Sequence, residues 1–359
     1  MNRSIFFFIL LLIFFFLQSS CNSTATEERE ISIGFSQSVG NDLWRVSMNH
    51  AMEVEASLYP NVNLTIYNAH HQAKKQIRDI EKFIDNKVDV IIISPFESDS
   101  IVPIIEKAKA KGIPVILIDR KANTTNYTTY IGADNIEVGR LAGKYVVASS
   151  KGIANVIEIS GDYTTSPGIE RSQGFKEIVS KYPGIKVHTV SSVDSEYPKQ
   201  EFVKLLDSLQ NIDYVFCYND VIAYNAWKIA ESKGLGNKLK FIGVDGLSGP
   251  FGGIQLVKEG VLSATVLYPT GGSEAIKLAL KIVSNEIVPK KNKLTTTLID
   301  SLNADIMSNQ FDRISIQQSN IEEQQNIIKN KGKEYATQNN LLKLLFALFI
   351  LTLCLAVYS

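Results

Sequence analysis

Short apolar runs alternate with amphipathic segments from Glu30 to about Leu302, and this alternation constrains the fold more than any other feature. Runs such as Asp89–Pro95 are apolar with polar ends, as strands covered on both faces are. Between the runs, apolar residues return at helical spacing. Strictly alternating strands and helices predict parallel sheets joined by right-handed crossovers. About eleven strands are too many for one open sheet, so we expect two α/β lobes.

Polar residues directly follow several predicted strands, which is where a parallel sheet places its ligand. The predicted strands are Ile31–Ser36, Val62–Ala69, Asp89–Pro95, Ile113–Asp119, Asn155–Gly161, Lys186–Ser192, Asp213–Asp220, Lys240–Gly246 and Ser263–Pro269. The polar residues at their ends are Ser36, Gln37, Asp119, Arg120, Asn219, Asp220, Asp245 and Tyr268. We expect them to converge on one cleft. Any one of them could instead cap the next helix, and we assign capping to Asp162 and Asp220.

The N-terminal apolar run Ile5–Leu17 predicts export. It follows Arg3, and it spans about 20 Å, too short for a bilayer core of about 30 Å. A basic start, a short apolar core and small residues at the exit are typical of a secretory signal, here residues 1–21. Ser19-Ser20-Cys21 also resembles a lipoprotein-processing site with Cys21 as the acylated residue. Acylation, simple cleavage and an uncleaved anchor therefore remain open.

The composition argues against several classes of function. The 37 basic and 37 acidic side chains balance, so the chain has no global attraction for nucleic acid. Cys217 is the one cysteine between Cys21 and Cys354, which leaves no internal disulfide or thiol site. His70 and His71 are neighbours that point to opposite sides of an extended segment, so we predict no metal site and no cofactor. No catalytic set stands out, and we expect no enzyme activity.

After Leu302 the alternation gives way to a heptad pattern. Apolar residues recur at every seventh position: Met307, Ile314, Ile321, Ile328, Tyr335 and Leu342. The companion positions are polar, so residues 304–340 predict a juxtamembrane helix that pairs weakly in a homodimer, or else one surface helix docked on the body. We expect Gly332 to interrupt this helix. Residues 341–358 span about 27 Å and predict a transmembrane helix.

A set of short motifs follows one another in fixed order through the body. They are Phe35-Ser36, Asn41-Asp42-Leu43-Trp44, Ile118-Asp119-Arg120, Gly132-Ala133-Asp134-Asn135 leading to Gly139, Glu170-Arg171 before Gly174-Phe175, Tyr218-Asn219-Asp220 and Gly243-Val244-Asp245-Gly246. In order and spacing they resemble the type I periplasmic sugar-binding proteins of the ribose/galactose class. The resemblance implies two Rossmann-like lobes joined by three crossings that close on a sugar. Its lobes would comprise residues 30–133 plus 269–297 and residues 134–268 plus 298–303.

The resemblance also implies which residues contact the sugar. They are Ser36, Asn41, Trp44, Asp119 and Arg120 from the N-terminal lobe, and Arg171, Tyr197, Asn219, Asp245 and Tyr268 from the C-terminal lobe and hinge. Where ribose binders have paired phenylalanines, this chain has Leu43-Trp44, and Tyr268 replaces their glutamine near the last crossing. The residue types suit a sugar, because carboxylates and amides accept from hydroxyls, arginine donates, and aromatic rings cover C–H faces.

An exported sugar-binding body joined through a helix to a membrane span resembles the input end of bacterial hybrid two-component sensors. We therefore expect a periplasmic domain that binds a pentose or hexose and is anchored to the cytoplasmic membrane, with a kinase or other output module beyond Ser359. One alternative is a tethered binding protein that serves an ABC permease. Another is an enzyme on the same two-lobed fold. A repressor-like regulator would need a helix-turn-helix where the signal stands.

Overall fold

The computed structural model of the protein describes residues 29–191, 199–209 and 211–358. The predicted signal over residues 1–21, with Cys21, lies outside the described residues. The predicted sugar contact Tyr197 also lies outside them.

Strands and helices alternate along the chain. The strands are β1 (Ile31–Gln37), β2 (Val62–Asn68), β3 (Val90–Ser94), β4 (Val115–Ile118), β5 (Thr129–Ala133), β6 (Ile153–Ser160), β7 (Gly184–Ser191), β8 (Tyr214–Cys217), β9 (Lys240–Asp245), β10 (Ala264–Leu267), β11 (Lys291–Leu294) and β12 (Leu298–Asp300). The helices are α1 (Leu43–Ser57), α2 (Ala73–Asp85), α3 (Val102–Ala110), α4 (Asn135–Ser150), α5 (Ser166–Val179), α6 (Lys199–Ser208), α7 (Asp220–Ser232), α8 (Gly253–Lys258), α9 (Gly272–Val283) and α10 (Ala304–Tyr358).

The strands form two six-stranded sheets, one in each lobe, so the predicted two-lobed α/β fold is confirmed. The first sheet has the order β11-β5-β4-β3-β1-β2, and all its pairs are parallel. The second has the order β12-β10-β9-β8-β6-β7, and only β12 is antiparallel to its neighbour. The short β12 enters directly from the first lobe, without the helical crossover that a parallel connection requires.

Three connections link the lobes: β5 to α4, β10 to α9, and β11 to β12. Helix α4 already packs against α5 of the second lobe, whereas α9 packs back against α1 of the first. The connection at Tyr268, which lies between β10 and α9, therefore runs through the centre of the molecule.

Each predicted strand overlaps an observed strand, and six of these nine observed strands are shorter than predicted. Residues Ile113–Asp119 contain only β4, and Asp213–Asp220 contain only β8 because Asp220 already begins α7. Strands β5, β11 and β12 are absent from the predicted set. The sequence of β11 is KNKL with alternating exposed residues, so no apolar run marks this edge strand.

The C-terminal helix α10 extends over 55 residues without a break. The predicted interruption at Gly332 is wrong, because a glycine in a helix costs only about 1 kcal/mol and keeps its backbone hydrogen bonds. The first turns dock on the second lobe, where Ala304 is buried and Met307 and Phe311 pack against the core. A window of this helix with a mean hydropathy of 1.4 is long and apolar enough to cross a membrane, and none of it is buried.

Candidate ligand-binding cleft

The polar residues that follow the strands converge on a cleft between the two lobes. The first lobe contributes the start of α1 and Asp119, which follows β4. The second contributes Arg171 of α5 and the segments after β8 and β9. The cavity is lined by Asp42, Leu43, Trp44, Arg45, Asp119, Arg171, Tyr218, Asn219, Asp220, Val221, Asp245, Leu247, Phe251, Gly252, Gly253 and Tyr268. Five of the predicted sugar contacts besides Tyr268 thus share one cavity: Trp44, Asp119, Arg171, Asn219 and Asp245.

Two aromatic rings form the apolar wall of this cavity. The indole nitrogen of Trp44 donates to the carbonyl oxygen of Tyr268 over 2.8 Å, and the ring centroids are 5.5 Å apart with 50° between the planes. Both side chains are buried. Because Trp44 lies at the start of α1 and Tyr268 on the connection between the lobes, this wall spans the hinge.

Arg171 lies between two tyrosines. Its guanidinium carbon is 4.7 Å from the ring centroid of Tyr218 and 4.6 Å from that of Tyr268. Its Nη1 donates to the carbonyl oxygen of Tyr218 over 2.7 Å. Burial acts to lower the pKa of Arg171, but Tyr218 and Asp245 outweigh it and raise that pKa overall. Arg171 is therefore a cation held in place at the wall of the cavity.

Asp119 is held in an unusual backbone conformation at the end of β4. Its φ is 63°, a left-handed value that Asp tolerates better than most residues. Its N–H donates to Ile131 O over 3.0 Å, and its carbonyl oxygen accepts from Tyr130 Oη over 2.8 Å. The carboxylate is 3.7 Å from Nη2 of Arg45, which is also paired with Asp42 at 2.7 Å. The carboxylate of Asp119 is thus a hydrogen-bond acceptor that lies next to a donor, the guanidinium of Arg45.

Arg120 and Asn41 line an adjoining cavity rather than the first one. The two cavities share Asp42, Arg45, Tyr218, Asn219 and Val221, so they are parts of one cleft. Nη1 of Arg120 donates to Phe96 O over 2.9 Å, while its buried Nε has no hydrogen-bond partner. Burial, together with the nearby Arg45, lowers the pKa of Arg120.

The predicted contact Ser36 is not among the residues that line these two cavities. Its side chain is buried, and its Oγ has no hydrogen-bond partner. Successive side chains of a strand point to opposite faces of the sheet, so Ser36 lies on the same face of β1 as Gly34. Gly34 of the same strand lies against Phe83 of α2, so Ser36 faces that helix.

The helix caps next to the cleft differ from those predicted. The Oδ1 of Asn219, not Asp220, accepts from Ile222 N over 2.8 Å and caps α7. Asp162 accepts from Thr164 N in a turn, while Thr165 caps α5. The capping roles assigned to Asp220 and Asp162 are therefore wrong, because each helix begins one or more residues away from the position expected. The amide nitrogen of Asn219 is the part left for a ligand.

A buried pair of carboxyl groups lies under the second lobe's side of the cleft. Asp220 accepts from Gly246 N over 2.8 Å and from Thr265 Oγ1 over 2.7 Å. Burial raises the pKa of Asp220 to about 7 even though these donors oppose it. Burial and the neighbouring Asp220 raise the pKa of Asp245. Because like charges repel, these two neighbouring carboxyl groups resist being charged together.

The raised pKa of Asp220 predicts a pH-dependent stability. Its stabilising contribution is complete below the pKa of the unfolded chain, about 4, and is lost as the pH rises through about 7. Asp220→Asn removes this titration, so its free energy of unfolding should fall less than that of the wild type between about pH 5 and pH 8. Urea denaturation across this range measures the difference, with Asp207→Asn as an exposed control. Parallel curves for Asp220→Asn and the wild type would contradict the assignment.

Tyr218 and Asn135 belong to the short motifs of the sequence, but they were not predicted as sugar contacts. The ring of Tyr218 lines both cavities and covers Gly161. Asn135 accepts from Arg171 Nε over 2.9 Å and donates to Tyr268 Oη over 3.2 Å. No cluster of His, Cys, Asp or Glu suited to a metal ion occurs in the part of the chain that the structure describes.

Comparison with known proteins agrees with this geometry. The family model described as a periplasmic binding protein domain matches residues 33–287. The ribose import binding protein of Bacillus subtilis is 29% identical over 248 residues, which cover 68% of this chain and 78% of the relative. The galactofuranose-binding protein of Escherichia coli is 28% identical over 283 residues, 75% of this chain and 87% of the relative.

One solved structure shows a closer likeness in sequence. The fructose-binding periplasmic domain of a hybrid two-component system is 38% identical and superimposes with a TM-score of 0.79, covering 82% of this chain and 99% of that domain. An ABC transporter solute-binding protein from Bacillus halodurans, solved with bound myo-inositol, is 26% identical with a TM-score of 0.72. It covers 78% of this chain and 98% of its own.

Proposed function

Because this chain belongs to the periplasmic binding protein domain family, we propose that its cleft binds one small sugar of the pentose or hexose class and that the lobes close around it. The observation that carries the proposal is the cavity that Arg171 and Asp119 line together with the Trp44–Tyr268 wall. Charged hydrogen-bonding groups next to an aromatic surface match the hydroxyls and the C–H faces of a sugar ring.

The charges of the cleft favour a neutral ligand. Arg45 is balanced by Asp42 at 2.7 Å and lies 3.7 Å from Asp119. The negative charges of Asp245 and Asp119 act to raise the pKa of Arg171. A fully hydrogen-bonded sugar leaves these groups paired, whereas a ligand without hydroxyls would leave buried polar groups unsatisfied at a cost of about 1–3 kcal/mol each.

The names of the relatives suggest which sugars to test first. They are described as binding ribose, galactofuranose and fructose, respectively. A panel with D-fructose, D-ribose and a galactofuranoside should raise the thermal unfolding midpoint for at least one member, because a ligand that binds only the folded state stabilises it. No shift with any pentose or hexose would contradict the proposal. We also propose that the protein releases the sugar chemically unchanged, since the relatives are named as binding proteins.

We propose further that the domain is the input of a membrane-anchored signalling receptor rather than a binding protein for an ABC permease. The support is helix α10, which contacts both lobes before it leaves the body. Lys258 of the second lobe lies 3.3 Å from Asp305. On the first lobe, His50 of α1 lies 3.4 Å from Glu322. Because α1 also carries Trp44 at the cleft, one rigid helix connects the proposed sugar site to α10.

The apolar stripe of α10 is covered by the body in its first part and exposed in its second part. Ile314 lies beside a cavity between α10, α1 and the hinge. Beyond Gln325, the side chains of Ile328, Tyr335 and Leu342 are about 70% exposed and have no cover from the body. Both alternatives for the helix thus find support, docking for the first part and a free stripe for the second. We propose that a second copy of this chain covers the free stripe.

The full chain in lipid nanodiscs should accordingly be a homodimer. Replacing Ile328 and Tyr335 with Glu places like charges in the helix pair outside the predicted membrane span, so we expect the variant to be monomeric by mass photometry. Glu323→Gln, exposed and off the stripe, is the matched control and should stay dimeric. A monomeric wild type would contradict the paired-helix input and favour the ABC-permease alternative.

A further inference from the structure

We propose that Asn135 is a positioning residue for the sugar site, one that fixes Arg171 and Tyr268 in their working orientations. Its amide oxygen accepts from Nε of Arg171 over 2.9 Å, and its amide nitrogen donates to Oη of Tyr268 over 3.2 Å. The side chain is fully buried, and Asn135 is not among the residues that line the cavity. Its influence on a ligand must therefore pass through these two partners.

The local sequence explains how the amide comes to face inward. Asp134 caps α4, because its Oδ1 accepts from Ile136 N over 3.1 Å and from Glu137 N over 3.2 Å. The cap leaves Asn135 as the first residue of the helix, directly after the first connection between the lobes. Asp134 thus caps the helix, whereas the next residue, Asn135, makes its contacts at the hinge.

Close packing of α4 against α5 brings the partners within reach. A Cβ on Gly139 would collide with the carbonyl oxygen of Arg171, and one on Gly174 would collide with that of Ile136. The two helices therefore approach at backbone distance next to Asn135. Larger residues at these glycines would push the two helices apart. The amide of Asn135 and the guanidinium of Arg171 would then be separated as well.

The contacts of Asn135 join elements that lie on different sides of the hinge. Arg171 belongs to the second lobe, and Tyr268 to the connection that returns to the first lobe. Trp44 of the first lobe then donates to the carbonyl oxygen of Tyr268. One amide therefore sets the orientation of the cation and of the aromatic wall together. With Nε held by Asn135 and Nη1 by Tyr218, the free Nη2 of Arg171 has a defined direction.

The test uses the full chain in nanodiscs and two readouts. The first is the Arg171 Nε–Hε signal in a ¹H–¹⁵N spectrum of the sugar-free protein, assigned with Arg171→Lys. A hydrogen bond to Asn135 protects this proton from solvent exchange, so Asn135→Ala should abolish the signal. The second is calorimetric titration with D-fructose and D-ribose, in which Asn135→Ala should weaken binding about tenfold, as expected for one charge-assisted hydrogen bond.

Conservative and matched variants separate positioning from a loss of structure. Asn135→Asp retains the acceptor for Arg171 but cannot donate to Tyr268 Oη as the amide does, so it should keep the signal and recover only part of the affinity that Asn135→Ala loses. Asn292→Ala loses a comparable hydrogen bond, to Thr129 Oγ1 at the far end of β5, and should change neither readout. If Asn135→Ala does not fold, Asn135→Ser, which is too short to reach both partners, replaces it.

The outcomes distinguish this inference from the proposed function on which it rests. An Arg171 signal that persists in Asn135→Ala, or equal weakening of binding by Asn292→Ala, would overturn the positioning role. A wild type that gives no heat with any sugar, while its Arg171 signal still depends on Asn135, would overturn sugar binding and leave the contact between Asn135 and Arg171 established.

Discussion

Arg171→Ala should abolish measurable sugar binding, with a loss of affinity of at least about thirtyfold. The variant removes the cation between the rings of Tyr218 and Tyr268 and leaves two acceptors, Asn135 Oδ1 and Tyr218 O, without their donor. Truncating one partner of a buried, hydrogen-bonded charge costs about 2–5 kcal/mol in binding, which is the origin of the expected factor. Isothermal titration calorimetry with the best sugar of the panel measures it.

Arg140→Ala provides the matched control for this variant. Arg140 is on α4, pairs with Glu177 over 2.8 Å, and its side chain is 35% exposed. An exposed ion pair contributes little to stability, so affinity should stay within about twofold. Circular dichroism should show that both variants are folded at the titration temperature. Wild-type affinity in a folded Arg171→Ala variant would remove this residue from the site.

Truncation after Asn340 should release the chain from the membrane completely. Residues 341–358 span about 27 Å and carry Lys343 near one end, where a lysine can reach the lipid head groups. The side chains of Leu344, Leu348, Leu351 and Leu355 are more than half exposed in the described structure, so the body does not cover them. Transferring this apolar surface from water into lipid is strongly favourable, and its removal should act as an all-or-none change.

Carbonate extraction of membranes measures this effect. Residues 1–29 are first replaced by a cleavable secretory signal, so that neither Cys21 nor the N-terminal apolar run can serve as an anchor. The chain that retains residues 341–358 should stay in the membrane pellet, and the truncated chain should appear in the periplasmic extract. Recovery of both chains in the soluble fraction would contradict a membrane span in α10.

The sequence predicts nine of the twelve strands and misses β5, β11 and β12. The cores of β3 and β4 are apolar runs whose burial on both faces their composition already requires. β11 is a polar edge strand whose pairing depends on β5. Similarly, β12 becomes antiparallel because of the route the chain takes between the lobes. Long-range placement of this kind leaves no local pattern in a sequence.

The same limit applies to the candidate site. Residues after the strands, such as Asp119 and Asp245, could be predicted because the ends of parallel strands meet. Ser36 turns toward α2 rather than into the cavity, since the direction of a strand's side chain depends on its register. Likewise, Asn219 rather than the predicted Asp220 caps the helix, because the helix already starts at Asp220. The contacts of Asn135 depend on how closely two helices pack, which the motif alone does not reveal.

Titration of the full chain with D-fructose, D-ribose and a galactofuranoside in one calorimetric series tests the central claim most directly. We expect saturable heat for at least one sugar, a stoichiometry of one sugar per chain, no saturable heat for Arg171→Ala, and chemically unchanged sugar recovered afterwards. Absence of heat for every sugar, or a product in place of the sugar added, would contradict it.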